Sequence, residues 1–251
     1  MKQDILLLHG SFHDKTSWDA LIPELEQLNF RVHTLTLLGN EDGKKSAYSI
    51  RLNSYVQQLL SAIEQIGKPL ILLGHSMSGA LISLVGEERP DLIKHLIYLS
   101  AIVPRKKDRI YKMGKDLPVK DKSLAEEALK LTFQSLLKGR ISIDREKAKE
   151  AFYGGQSPEE QEKLSKSIVE QPFMPFLGKI SWTEGRLGTV SKSYIECKHD
   201  KAHPINQQRA FQAYMNFSLV KTLESNHCPF YLMPRELAVC IQEIDQALSQ
   251  K

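Results

Sequence analysis

The stretch Leu70-Ile71-Leu72-Leu73-Gly74-His75-Ser76-Met77-Ser78-Gly79 constrains this chain more than any other. An apolar run stops abruptly in small residues with a serine held between them, which reads as a strand, a sharp turn and a helix. A serine hydroxyl is a poor nucleophile at neutral pH until a base removes its proton, so a reactive serine has to project where a histidine can reach it. A tight strand-to-helix turn achieves this at strained backbone angles, with neighbouring chain very close, and glycine therefore flanks the serine in the G-x-S-x-G elbow. Here the second glycine position holds Ser78, with Gly79 following. Serine is small enough for the turn to form, and its side chain is expected to point away from the Met77 N–H. Taken alone, the stretch also suits an ordinary strand–turn–helix whose glycines only allow close packing.

Composition narrows the setting. At 251 residues, 41% hydrophobic and 25% charged, the chain suits one globular α/β unit with an insertion. No apolar run reaches membrane-spanning length, and Met1-Lys2-Gln3-Asp4 opens no signal-peptide pattern, so no membrane partner is expected and the cytoplasm is the expected compartment. Cys197, Cys228 and Cys240 are scattered without C-x-x-C spacing, which argues against a disulfide framework and a zinc site. The net charge is +4, and residues 105–150 hold fourteen Lys/Arg against eight Asp/Glu. With no aromatic-and-basic RNA motif beside it, that excess reads as a solvated face, and no nucleic-acid partner is expected. Nothing in the sequence bars a homodimer.

Asp4 to Leu8 reads as a strand running into the loop His9-Gly10-Ser11-Phe12-His13. Trp18, Leu21, Ile22, Leu25 and Leu28 recur at helical spacing, Phe30 to Leu37 returns to strand, Leu38 to Gly43 is a loop, and Tyr55 to Ile66 traces a second helix. After the elbow come a helix ending near Arg89-Pro90 and a strand from Leu92 to Ser100. Strands alternating with helices imply a mostly parallel sheet flanked by helices. From Val103 to Gly188 the chain turns helix-rich and charged, without strand-like runs, which predicts an inserted helical cap over 103–188 between core segments 1–102 and 189–251. Ser157-Pro158-Glu159-Glu160 is a capping box opening a helix there. Ser193 to Cys197, Ile205 to Met215, Ser218 to Leu223 and Leu237 to Leu248 resume the strand–helix rhythm.

A nucleophilic Ser76 needs a histidine base and an acid, which in a parallel sheet sit on loops at the carboxyl ends of strands. His227, in Glu224-Ser225-Asn226-His227-Cys228-Pro229-Phe230, follows the last strand and is the expected base. Asp200, in Cys197-Lys198-His199-Asp200, follows the strand before and is the expected acid, with Glu196 a weaker candidate still inside the strand. His199 and His203 read as solvated loop histidines, since no spaced carboxylates accompany them as a metal set would require. Oxyanion donors are expected from the backbone N–H groups of Met77 and Ser11. Phe12, His13, Phe152, Phe173 and Cys228 are candidates for a substrate pocket.

The order Ser76, Asp200, His227 with a sheet and an inserted cap resembles the α/β-hydrolase superfamily. More narrowly, His9-Gly10-x-x-His13 with Trp18, the Gly-His-Ser elbow, Ser157-Pro158-Glu159 and Asn226-His227 resemble its methylesterase and hydroxynitrile lyase branch. That resemblance implies the α/β-hydrolase fold, no cofactor, small esters bound beneath the cap, and an oxyanion hole at Ser11 and Met77. Similar lyases carry threonine where Gly10 stands, Glu or Asp where His75 stands, and lysine where Cys228 stands. An uncharged Cys228 cannot stabilise a departing cyanide, so ester hydrolysis through an acyl-enzyme is the expected chemistry. The rivals are a carbon–carbon lyase and a non-catalytic ligand-binding homologue, for which Ser78 is the hint; amide and thioester substrates stay open.

Overall fold

In the computed structural model, which describes residues 2–40, 47–113, 117, 119, 121, 123–130 and 133–249, the first part of the chain alternates as expected. It runs through β1 (Gln3–Leu8), α1 (Leu21–Gln27), β2 (Phe30–Leu35), α2 (Leu52–Ile66), β3 (Leu70–His75), α3 (Ser78–Glu88) and β4 (Ile93–Leu99). A stretch of short elements follows: β5 (Lys107–Arg109), α4 (Leu124–Ala128), β6 (Leu129–Lys130), α5 (Phe133–Leu137), β7 (Arg140–Ile143), α6 (Arg145–Tyr153), α7 (Pro158–Lys166), β8 (Gln171–Pro172) and β9 (Lys179–Ser181). Then β10 (Lys192–Cys197), α8 (Ile205–Gln212), β11 (Leu219–Leu223), α9 (Pro229–Leu232) and α10 (Pro234–Ser249) complete the chain.

Six described strands form one sheet in the order β11-β10-β4-β3-β1-β2, and every neighbouring pair is parallel. The apolar runs of β1, β3 and β4 are continuous because these inner strands are covered on both faces, whereas the edge strands β2 and β11 are partly exposed. Alternate residues divide between two cores: Leu6, Leu8, Leu70 and Leu72 pack with α2 and α3, while Ile5, Leu7, Ile71 and Leu73 pack with α1 and α10. All six residues of β3 are buried. Chain order reverses between β1 and β3, and the crevice at such a switch point, beyond the carboxyl ends of the strands, is where an open α/β sheet places its ligands. Pairing of Leu8 with Gly74 and of His75 with Leu99 brings the loops after β1, β3 and β4 side by side there.

Two expectations change. The inserted stretch does contain strands: β5 pairs with β9 and β7 bridges β6 and β8, all antiparallel. At two to four residues each, they are too short to leave a period-2 pattern. Trp18 lies in a 3-10 turn, Lys15–Trp18, ahead of α1 rather than in one helix with Leu28. The expected loop Leu38–Gly43 lies outside the described residues at 41–43. The Ser157 cap is present, its hydroxyl accepting from the Glu160 N–H at 3.2 Å. Among the described residues no helix is long and apolar enough to cross a membrane.

Candidate active site

Ser76 leaves β3 with φ +54°, a left-handed backbone that non-glycine residues adopt only when their surroundings enforce it. The enforcement comes from β4 and its loop. The Ser76 N–H donates to the Leu99 carbonyl at 3.2 Å, and its carbonyl accepts from Ile102 at 3.1 Å and Gly79 at 3.2 Å. At Gly79 any Cβ would run into the Ile102 carbonyl oxygen, so the glycine that matters sterically is this one, a position after the usual place. Ser78 is fully buried, and its hydroxyl donates to the His9 carbonyl at 2.5 Å. The serine in place of glycine thus ties the start of α3 to the loop after β1.

That loop is itself fixed by its histidines. The His9 Nδ1–H donates to the Gly10 carbonyl at 2.8 Å, while its Nε2 accepts from the Leu37 N–H at 3.0 Å. His13 Nδ1–H donates to the Ser11 carbonyl at 2.9 Å, and Nε2 accepts from the Tyr153 hydroxyl at 3.0 Å. Each ring uses one nitrogen as donor and the other as acceptor, the pattern of neutral imidazole. Burial pushes both down to about 4. The Ser11 hydroxyl meets Met77 Sδ at 3.3 Å, which joins the loop to the elbow. Among the described residues neither the Ser11 nor the Met77 N–H donates to a backbone acceptor.

His227 is buried, and its Nδ1–H donates to Asp200 Oδ2 at 2.7 Å. The same oxygen accepts from the Ser100 hydroxyl, and Oδ1 accepts from the His203 N–H at 2.7 Å. With Nδ1 protonated, His227 Nε2 carries the free lone pair that a base requires. Aromatic rings enclose the imidazole. Phe152 of α6 stacks at 5.5 Å and His203 at 5.2 Å, while His75 lies 4.5 Å away and donates its Nε2–H to the His227 carbonyl at 2.9 Å. Burial lowers His75 well below its ordinary value and His203 to about 4, so both neighbours are uncharged beside a ring that would become cationic. Glu196 is engaged elsewhere, by Arg209, Gln212 and Thr222.

Ser76 and Met77 open onto a cavity of about 120 Å³ that Ser11, Phe12, Phe152, His203 and Gln207 also line. Three expected pocket residues lie elsewhere. His13 is turned into the loop by its two hydrogen bonds, Phe173 is half-buried against the core cluster that includes Phe12, Ile141 and Phe152, and Cys228 is fully buried, with burial pushing its thiol up. His203 is the reverse case, a cavity wall stacked on His227 rather than a solvated loop residue, whereas His199 pairs with Glu224 in the open. Ser100 and Gln207 were not singled out from sequence; Ser100 ends a strand beside the elbow, which is the one signal it leaves. No hydrogen bond joins the Ser76 hydroxyl to His227 among the described residues, as is common before substrate tightens such contacts. No group of three His, Cys, Asp or Glu among the described residues is arranged to hold a metal ion.

Comparison with known proteins matches this architecture. A pyrethroid hydrolase of Sphingobium wenxiniae is 31% identical over 97% of this chain and 88% of its own length. Methylesterase 7 of Arabidopsis thaliana is 25% identical over 97% of this chain and 96% of its own. The crystal structure of a pyrethroid hydrolase from Sphingobium faniae JZ-2 superposes with a TM-score of 0.84 at 27% identity, covering all of both chains. A family model described as "Alpha/beta hydrolase family" matches residues 5–239. The chain therefore belongs to the alpha/beta hydrolase family.

Proposed function

We propose that this protein is a serine esterase that cleaves small carboxylic esters through an acyl-enzyme, with Ser76, His227 and Asp200 as its triad. The observation that carries the reading is the Asp200–His227 hydrogen bond of 2.7 Å set against a left-handed Ser76, with Phe152 and His203 both lining the Ser76 cavity and stacking on the His227 ring. In the first half-reaction Ser76 Oγ attacks the ester carbonyl carbon and its proton passes to His227 Nε2. The tetrahedral oxyanion is received by the Ser11 and Met77 N–H groups. On collapse the C–O bond to the alcohol breaks and His227 returns the proton to the leaving oxygen. Water then repeats the sequence on the acyl-enzyme and releases the acid. Asp200 stabilises the imidazolium in both halves.

Residues 103–188 act as a cap on a core of 1–102 and 189–251, supported by the approach of Phe152 to His227 and of Tyr153 to His13. The names of the relatives, a pyrethroid hydrolase and a methylesterase, support an ester substrate. A cavity of about 120 Å³ approaches the roughly 150 Å³ that holds a benzene ring, so one small acyl or alcohol group fits inside. A Cβ at Gly10 would stand 2.8 Å from Ser76 Cβ, which leaves no room for the threonine of a lyase. Three buried free cysteines fit a reducing cytoplasm.

The test is hydrolysis of short p-nitrophenyl esters together with fluorophosphonate labelling. Ser76→Ala should abolish labelling and lower kcat by several orders of magnitude. Turnover within tenfold of wild type would sink the proposal.

A further inference from the structure

Phe12, which follows the expected oxyanion donor Ser11, is held at φ +65°. Left-handed backbone at a bulky residue is strained and persists only where something else enforces it. The enforcing groups come from the inserted stretch. The Phe12 N–H donates to Gln171 Oε1 at 3.3 Å, and its carbonyl accepts from the Val169 N–H at 3.0 Å. Both backbone groups of one strained residue are therefore gripped by two residues of the same short segment.

Gln171 is suited to the task because its own amide is fixed. It is fully buried, its Oε1 also accepts from Asn40 Nδ2 at 3.1 Å, and its Nε2 donates to the Tyr55 hydroxyl at 3.0 Å. The same Asn40 amide holds the His13 carbonyl at 2.9 Å. One buried amide thus links three elements of the core, the loop after β1, the loop after β2 and α2, at the end of β1 where the sheet changes direction.

We infer that Gln171 is a positioning residue for ester hydrolysis: the cap, through Gln171 and Val169, sets the backbone of Phe12 and with it the oxyanion donor at Ser11. The inference rests on the esterase reading above. It makes the cap a part of the catalytic geometry rather than a removable cover. An oxyanion donor must already point at the developing charge, and losing one costs about 10²–10³ in kcat.

Gln171→Met keeps the volume and removes the acceptor, and Gln171→Glu keeps it, since a protonated carboxyl can accept from Phe12 and donate to Tyr55 as the amide does. Kinetics are normalised to the concentration of sites labelled by fluorophosphonate, which removes any contribution from unfolded protein. Gln171→Met should lower normalised kcat roughly ten- to hundredfold with KM within about threefold, and should weaken a trifluoromethyl ketone, a mimic of the tetrahedral adduct, in proportion to kcat/KM. Gln171→Glu should recover most of the loss. Val169→Pro, which removes the N–H that holds the Phe12 carbonyl, should lower normalised kcat in the same direction. Normalised kcat within threefold of wild type in both Gln171→Met and Val169→Pro overturns the inference, as does a loss that Gln171→Glu shares in full. Wild-type protein that neither turns over esters nor labels at Ser76 would instead overturn the esterase reading itself.

Discussion

Acid should destabilise this protein well above the pH at which its carboxylates titrate, because four buried imidazoles are locked away neutral and the half-buried His203, also lowered to about 4, adds in the same direction. His9, His13, His75 and His95 are 0%, 3%, 1% and 0% exposed. Burial pushes His9, His13 and His95 from 6.5 down to about 4, with the nearby Lys192 and Lys94 charges adding to the effect at His95. His75 is lowered well below 6.5 by burial and then by the adjacent His227 and His13 rings. In the unfolded chain each of the four titrates near 6.5. Between about 6.5 and 4 the unfolded state therefore binds more protons than the folded one, so stability is complete above 6.5 and is lost as the pH falls toward 4.

At about pH 5.5 an ordinary histidine is roughly nine-tenths protonated when unfolded, and these four are almost wholly neutral when folded. Each then costs a little over 1 kcal/mol, and together they cost about 5 kcal/mol. This figure hardly depends on how far below 5.5 the folded values lie. The carboxylates do not offset it: Asp4, Glu87 and Glu196 have lowered values, and the stability they supply is lost only below the ordinary carboxylate range. A domain of typical stability, about 5–15 kcal/mol, would lose a third or more of it. Urea unfolding at about pH 8, 6.5 and 5.5 measures the drop directly, and the slope should correspond to an uptake of roughly four protons at pH 5.5. His95→Gln, remote from the cavity, should reduce that uptake by about one. Equal stabilities at about pH 8 and 5.5, or an uptake below one proton, would refute the reasoning.

Two further substitutions probe the elbow. Ser78→Gly restores the usual glycine but removes the hydroxyl that holds the buried His9 carbonyl; it should destabilise by about 1–3 kcal/mol in urea unfolding, and a gain in stability would show that the bond contributes nothing. Gly10→Ala places a Cβ 2.8 Å from Ser76 Cβ and 2.9 Å from His75 Nδ1; because misplacing a reacting group by about 1 Å can cost on the order of 10² in rate, its kcat on a short p-nitrophenyl ester should fall by that order, and an unchanged kcat would show that the close approach is not needed.

Sequence patterning located the sheet because its inner strands β1, β3 and β4 are apolar runs punctuated by glycine and polar loops, and those residues are buried on both faces. It also singled out Ser76, Asp200 and His227 as candidates, because chain order and position after a strand are one-dimensional properties. What it did not reveal depends on contacts far apart in the chain. Ser100 binds Asp200 across a hundred positions, and His203 was misassigned because nothing local distinguishes a ring stacked on His227 from one in water. Phe173 and Cys228 do not line the cavity for the converse reason: an apolar loop residue can face a cavity or pack against a core, and in this chain Cys228 is buried in the core and Phe173 packs half-buried against it. The small strands β5 to β9 escaped notice because their pairing is set by tertiary context, not by their own two to four residues.

Among the described residues, four non-glycine positions have positive φ, and three of them, Phe12, Ser76 and Ser100, stand at the carboxyl ends of the neighbouring strands β1, β3 and β4. None is held by its own element. Phe12 is gripped by Val169 and Gln171, Ser76 by Leu99 at the end of β4 and Ile102 after it, and Ser100 by the Ile195 carbonyl on β10 and by Asp200. At roughly 1–3 kcal/mol each, such strain would relax if any one partner were withdrawn, and the N–H groups and the hydroxyl it aims would turn with it. The sheet and the stretch between β4 and β10 are therefore joined at the level of single peptide groups, and a site built this way can keep its shape only while every neighbouring element is in place.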